Sequence, residues 1–156
     1  MISRRAFLTH AAGLAAAAGG ARTAWAAVRA PAPTPITVYK SKSCLCCAKW
    51  VDHVRENGFA PTVHDEEDMD RIKNEMAVPK DVRSCHTAMV DKYLIEGHVP
   101  AADIRRLLAE RPKAAGLAAP GMPASAPGML EPGASVKPYD VVAFTSAGTT
   151  TVYSRH

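Results

Sequence analysis

The sequence has no stretch rich enough in Leu, Ile and Phe to cross a bilayer comfortably. The nearest candidate, residues 11–21, is a short run of Ala and Gly. There is no internal repeat. There is also no acid in the first 26 residues, where Arg4, Arg5 and Arg22 lie. The formal charge of +4 is therefore mostly a property of that end: 19 basic residues less those three leaves 16 against 15 acids, a balance of +1. A balance so close to zero gives no support for a nucleic-acid partner. Cysteine is scarce as well, with four in 156 residues. Three of the four fall inside Cys44-Leu45-Cys46-Cys47, and such concentration points to chemistry rather than packing.

The acid-free end reads as an export signal. Ser3-Arg4-Arg5-Ala6-Phe7-Leu8 resembles the twin-arginine consensus, a weakly apolar run follows, and Ala24-Trp25-Ala26 fits an A-x-A cleavage site. Residues 1–26 are expected to be removed, leaving no stable membrane insertion and a periplasmic protein. Residues 27–35, with Pro31, Pro33 and Pro35, read as an extended tether to a domain over 36–154. His10 leaves with the signal. In an oxidising periplasm, four cysteines either pair or bind metal.

Ile36–Ser41 is β-branched and aromatic enough for a strand. Ser43 is placed to cap a helix with Cys44 in its first turn, and Asn57-Gly58 stops that helix. Cys47, Trp50, Val51 and Val54 share one face at helical spacing. Pro61–His64 reads as a second strand and Met69–Met76 as a second helix, led by the solvated acids Asp65 to Asp68. Thr87–Val90 and Tyr93–Glu96 read as strands around an Asp91-Lys92 turn, and Ala102–Glu110 as a third helix. Residues 112–138 hold six prolines and four glycines, so no regular element is expected there. Tyr139–Phe144 and Thr149–Tyr153 form a final strand pair. The element order matches a thioredoxin-like α/β fold: a mixed sheet flanked by helices, with a Pro/Gly/Met-rich C-terminal loop. Met69, Met76 and Met89 are assigned to the core, and His53 and His64 to the surface.

Thiolate is the form of cysteine that attacks or binds metal. A helix start favours it, because unpaired N–H groups and partial positive charge gather there. Cys44 and Cys47 stand at C-x-x-C spacing, able to close a disulfide or to chelate, and Cys46 adds a third sulfur. Cys85 is the fourth. Thiol oxidoreductases of thioredoxin-like topology place a proline before the third strand, where this chain has Ser84-Cys85-His86-Thr87. His86, His98, Met122 and Met129 add further soft or borderline donors. Thiolate and thioether together select monovalent copper, in a site of one ion or several; four thiolates alone would satisfy zinc. Two structural disulfides are the plain alternative.

Taken together, Val38-Tyr39-Lys40-Ser41, Cys44-Leu45-Cys46-Cys47, Trp50, Ser84-Cys85-His86-Thr87-Ala88, Ile95-Glu96-Gly97-His98-Val99-Pro100 and Pro120-Gly121-Met122-Pro123 resemble the CopG-like copper-resistance proteins. The resemblance covers roughly residues 36–154. It implies a periplasmic thioredoxin-like domain that binds copper and supports copper tolerance, with Cys44, Cys46, Cys47 and Cys85 as sulfur ligands. Implied partners are copper ions and other periplasmic copper-handling proteins. A thiol–disulfide or copper oxidoreductase using Cys44 and Cys47, and a zinc-stabilised structural module, are the rival readings.

Overall fold

The computed structural model describes residues 32–156. The segments read as an export signal and its cleavage site, and the first part of the expected tether, lie outside the described residues. The strands are β1 (Thr34–Ser41), β2 (Phe59–Glu66), β3 (His86–Val90), β4 (Tyr93–Glu96), β5 (Gly116–Ala118), β6 (Asp140–Phe144) and β7 (Thr150–Arg155). The helices are α1 (Leu45–Glu56), α2 (Met69–Glu75) and α3 (Ala101–Glu110), and Lys80–Val82 adds one 3-10 turn.

One mixed sheet runs β2-β1-β3-β4-β5-β6-β7. β1 pairs parallel with β2, as the α1 crossover requires, and antiparallel with β3. β4 and β5 are parallel, with α3 between them in sequence, and the remaining neighbours are antiparallel. The result is mixed α/β, as the sequence pattern implied.

Strand residues alternate between two cores, because successive side chains leave opposite faces. Ile95, Leu117 and Val141 join Trp50, Val51, Val54, Ile104 and Leu107 under α1 and α3. Leu94, Ala118, Val142 and Phe144 turn the other way, toward Met76, Val78 and Val82. The shared face of Cys47, Trp50, Val51 and Val54 is buried as expected, and Gly58 takes φ +85° at the end of α1.

Several local expectations change. β1 begins at Thr34, so Thr34 and Pro35 belong to the sheet and not to the tether. β2 runs from Phe59 to Glu66 and takes in the first two acids of the acidic run. The N-cap of α1 is Cys44, with no side-chain cap bond, and the Ser43 hydroxyl faces that of Ser41 at 3.2 Å. β5 lies inside the segment read as irregular. Only glycine permits it at its first residue, since a Cβ on Gly116 would lie 1.8 Å from the Leu94 carbonyl oxygen. Met89 is 41% exposed rather than core. His53 is half-buried, and its Nε2 accepts the Ala101 amide N–H at 3.1 Å, capping the start of α3. His64 is exposed, as expected, and stacks on Tyr39.

Candidate metal centre

β1 delivers the chain to α1 through a tight turn in which the Cys44 amide donates to the Ser41 carbonyl at 3.0 Å. α1 then starts with no acid in its first turn, so nothing anionic competes with sulfur for the helix end. Cys44 and Cys47 are joined as a disulfide. Cys46 and Cys85 are free thiols, and Cys46 Sγ is 3.5 Å from Cys44 Sγ.

Cys85 precedes β3 and sits across from α1. Its Sγ lies 3.2 Å from His98 Nε2 and 3.4 Å from His86 Nδ1. His98 Nδ1 donates to the Pro127 carbonyl at 2.7 Å. That bond fixes the tautomer of neutral His98 and leaves the Nε2 lone pair facing Cys85. A carbonyl holding one ring nitrogen while the other faces a donor cluster is the usual support of a metal-binding histidine. His86 is fully buried, packed on Trp50 with ring centroids 4.3 Å apart and edge-on to His98 at 5.0 Å. Its Nε2 has no hydrogen-bond partner, an unusual condition for a buried polar atom.

Burial keeps these groups uncharged. It pushes the Cys85 thiol up to about 11, with neighbouring Cys46 adding to the effect. It holds His98 below the ordinary imidazole value, opposed by the bond to Pro127. It holds His86 well below that value, helped by His98 and Lys73. Two neutral imidazoles and a protonated thiol form a wall from which a bound metal ion would displace a proton.

Two overlapping groups of donors result. One is Cys44, Cys46, Cys47 and Cys85; the other is Cys47, Cys85, His86 and His98. Within each group the donor atoms all lie within 4.8 Å of one another. An ion holding sulfur at about 2.3 Å keeps its donors no more than about 4.6 Å apart, so both groups have the scale of a metal site. Both groups include Cys47, so neither offers its full donor set until the Cys44–Cys47 disulfide is reduced. The donor set and the unpartnered His86 nitrogen fit a soft metal such as copper.

The loop after β5 roofs this wall. Ala126 is fully buried. A Cβ on Gly128 would meet the Trp50 amide nitrogen at 2.8 Å and the Cys46 carbonyl oxygen at 2.9 Å, so the backbone of the loop lies directly on the first turns of α1. Met129 is half-buried beside that contact, whereas Met122 is 47% exposed. Thus Cys44, Cys46, Cys47, Cys85, His86 and His98 converge, Met129 stands on the roofing loop, and Met122 is exposed.

Sequence reasoning gave no role to Lys73, Thr87 or Glu96, which lie buried beside Cys85 and His86. Lys73 Nζ donates to Glu96 Oε2 at 2.9 Å and to Thr87 Oγ1 at 2.7 Å, and Thr87 in turn donates to Glu96 Oε1. Burial raises the Glu96 carboxyl against the pull of Lys73. The signal was present in Glu96-Gly97-His98, a charged residue two positions from a candidate ligand in an otherwise apolar strand.

A family described as "Protein of unknown function, DUF411" matches residues 82–129, the stretch carrying Cys85, His86, His98 and the roofing loop. Two solved structures, "Copper resistance protein copG- Form 1" and "Copper resistance protein copG- Form 2", resemble the chain, each at a TM-score of 0.73 and 43% identity. Each likeness covers 80% of this chain and 98% of the other. No curated protein matches. The chain belongs to the CopG-like copper-resistance family.

Proposed function

We propose that this member of the CopG-like family is a periplasmic copper-binding protein that holds Cu(I) at its cysteine cluster for tolerance, sequestration or handover. The observation that carries the reading is the convergence of four cysteine sulfurs, all within 4.8 Å of one another, on a wall containing His86 and His98. In this reading Cys44, Cys46, Cys47 and Cys85 are the sulfur ligands, and His86 and His98 supply nitrogen. Met129, and Met122 after a loop adjustment, add thioether. Bound copper is the cargo. The chain's own residues exclude water, hold the donors and release the Cys85 proton on loading.

The fold of the first half is read as thioredoxin-like. Its β2-β1-β3-β4 order, with thiols at the start of α1, supports that assignment. The N-terminal motif supports export by the twin-arginine route, and an oxidised Cys44–Cys47 pair is in keeping with an oxidising compartment.

That disulfide also favours a second reading, a thiol–disulfide or copper oxidoreductase using Cys44 and Cys47. Reduction of the pair takes two electrons, which two Cu(I) ions supply on becoming Cu(II). A zinc-stabilised module is the third reading. The metal content and free-thiol count of protein isolated from the periplasm of copper-stressed cells separate the three. Copper with protected thiols supports the first. Insulin-type reductase activity in metal-free protein, lost in Cys47→Ser, supports the second. One zinc per chain without copper supports the third and removes the first.

A further inference from the structure

Beside the donor cluster lies a buried charged pair. Lys73 on α2 and Glu96 at the end of β4 are both buried, with side chains 4% and 0% exposed. Burying two charges is costly, and an apolar pair of similar volume commonly serves stability as well or better. The β3–β4 hairpin is already held by its ladder from Thr87–Glu96 to Val90–Tyr93. The ion pair therefore calls for a reason beyond joining strands.

The reason lies in what Glu96 grips. Its Oε2 accepts the Ser84 backbone N–H at 2.9 Å, and Ser84 immediately precedes Cys85. Two residues beyond Glu96 is His98, whose Nε2 faces Cys85 Sγ at 3.2 Å. Gly97 sits between them at φ +69°, so close to Ser84 that a Cβ there would lie 2.3 Å from the Ser84 hydroxyl oxygen. The Gly97 amide donates to the His86 carbonyl at 3.1 Å. One carboxylate thus fixes the segment carrying Cys85 and His86 against the segment carrying His98. Lys73 completes the arrangement by neutralising that carboxylate and by bracing Thr87, the residue after His86.

We propose that Glu96, with Lys73 as its buried counter-charge, is the positioning residue that holds Cys85 in register with His98 as a metal donor. This deepens the copper reading and rests on it for its purpose. Its geometry is a property of the metal-free chain and is tested there too.

The variants are Lys73→Met/Glu96→Leu, which removes both charges and the acceptor, and Lys73→Met/Glu96→Gln, which removes the charges but keeps an acceptor for Ser84. The first readout is Cu(I) affinity of the reduced full chain against a chromophoric Cu(I) chelator, with the thiolate-to-copper absorption band. The leucine variant is expected to lose about 10- to 100-fold in affinity, the range for residues that support metal ligands, with an altered band. The glutamine variant is expected to recover part of both. Added Cys85→Ser should cost the leucine variant far less than it costs the parent, whereas added Cys44→Ser should cost both alike. A merely structural role predicts no such selectivity.

The second readout uses no metal: the Ser84 amide resonance and the alkylation rate of Cys85. Both should shift in the leucine variant and move back toward the parent in the glutamine variant. Unchanged Cu(I) affinity, or a penalty equally additive with Cys85→Ser and Cys44→Ser, overturns the proposal. If the leucine variant fails to fold, the glutamine variant alone decides by the same cycle. If the parent chain takes up no Cu(I), the copper reading fails separately, and an unmoved Ser84 amide and Cys85 rate then overturn the positioning role as well.

Discussion

The two sides of the donor cluster are built on opposite principles. The α1 side is a rim: Cys44 and Cys46 are partly exposed, Leu45 between them is 78% exposed, and Cys44 is tied to Cys47. The β3–β4 side is a wall: His86 and His98 are buried, Cys85 is partly so, and each is held by named neighbours. Trp50 packs on His86, Pro127 fixes His98, and Glu96 anchors the residue before Cys85. A rim holding a reducible disulfide beside a wall that holds none would suit the copper binding proposed above. In the proposed reading the wall supplies preorganised donors, and the rim would supply two further thiols once a two-electron thiol reductant had opened the Cys44–Cys47 disulfide.

The contrast is broken most severely by taking a donor from the wall. Cys85→Ser is expected to cost Cu(I) affinity about 100-fold or more, beyond the range for residues that only support ligands. Cys44→Ser should cost less, because Cys44 lies on the partly exposed rim, where Cys46, 3.5 Å away, and Cys47 remain as sulfur donors. Competition titration of the two reduced variants checks this, and equal losses would erase the distinction. Next is Trp50→Ala. Trp50 is fully buried, and its indole N–H donates to the Val99 carbonyl at 2.9 Å. The change should destabilise the chain by about 3–5 kcal/mol, read as a shift of the urea midpoint.

A smaller effect comes with pH. His86 and His98 have folded values below the unfolded imidazole value of about 6.5. Their contribution is therefore present above that value and lost as pH falls below it. For Cys85 the sign reverses. Its thiol is raised from 9.0 to about 11, so its contribution is present below 9.0 and lost as pH rises toward 11. Urea unfolding of the metal-free chain should show both edges, with His98→Gln flattening the acid one and Cys85→Ser the alkaline one. The smallest effect is that of Met122→Ala, which should change stability by no more than about 0.5 kcal/mol, since the side chain is exposed. A larger loss in unfolding experiments would place Met122 inside the packed roof.

Much of this was legible in the chain. The thiol cluster, the buried face of α1, the glycine stop at Gly58 and the α/β order all follow from local spacing. What was not legible depends on contacts between distant segments. β5 is three residues long and rests on the absence of a Cβ at Gly116, which no periodicity records. Met89 alternates correctly in β3, but its face is not covered at that point. His53 looked like a surface group because its partner, the Ala101 amide, lies 48 residues away. Lys73 sits on a short, largely polar helix, and only the sheet beneath it shows that its ammonium turns inward to Glu96. The candidate ligands were readable as residue types; the residues that hold them in place were not.

The most direct test of the account is a Cu(I) competition titration of the reduced mature chain beside a variant with all four cysteines changed to serine. The account predicts tight uptake by the parent, with an ultraviolet thiolate-to-copper band, and neither in the variant. Equal uptake by the two proteins, or none by the parent, would contradict it.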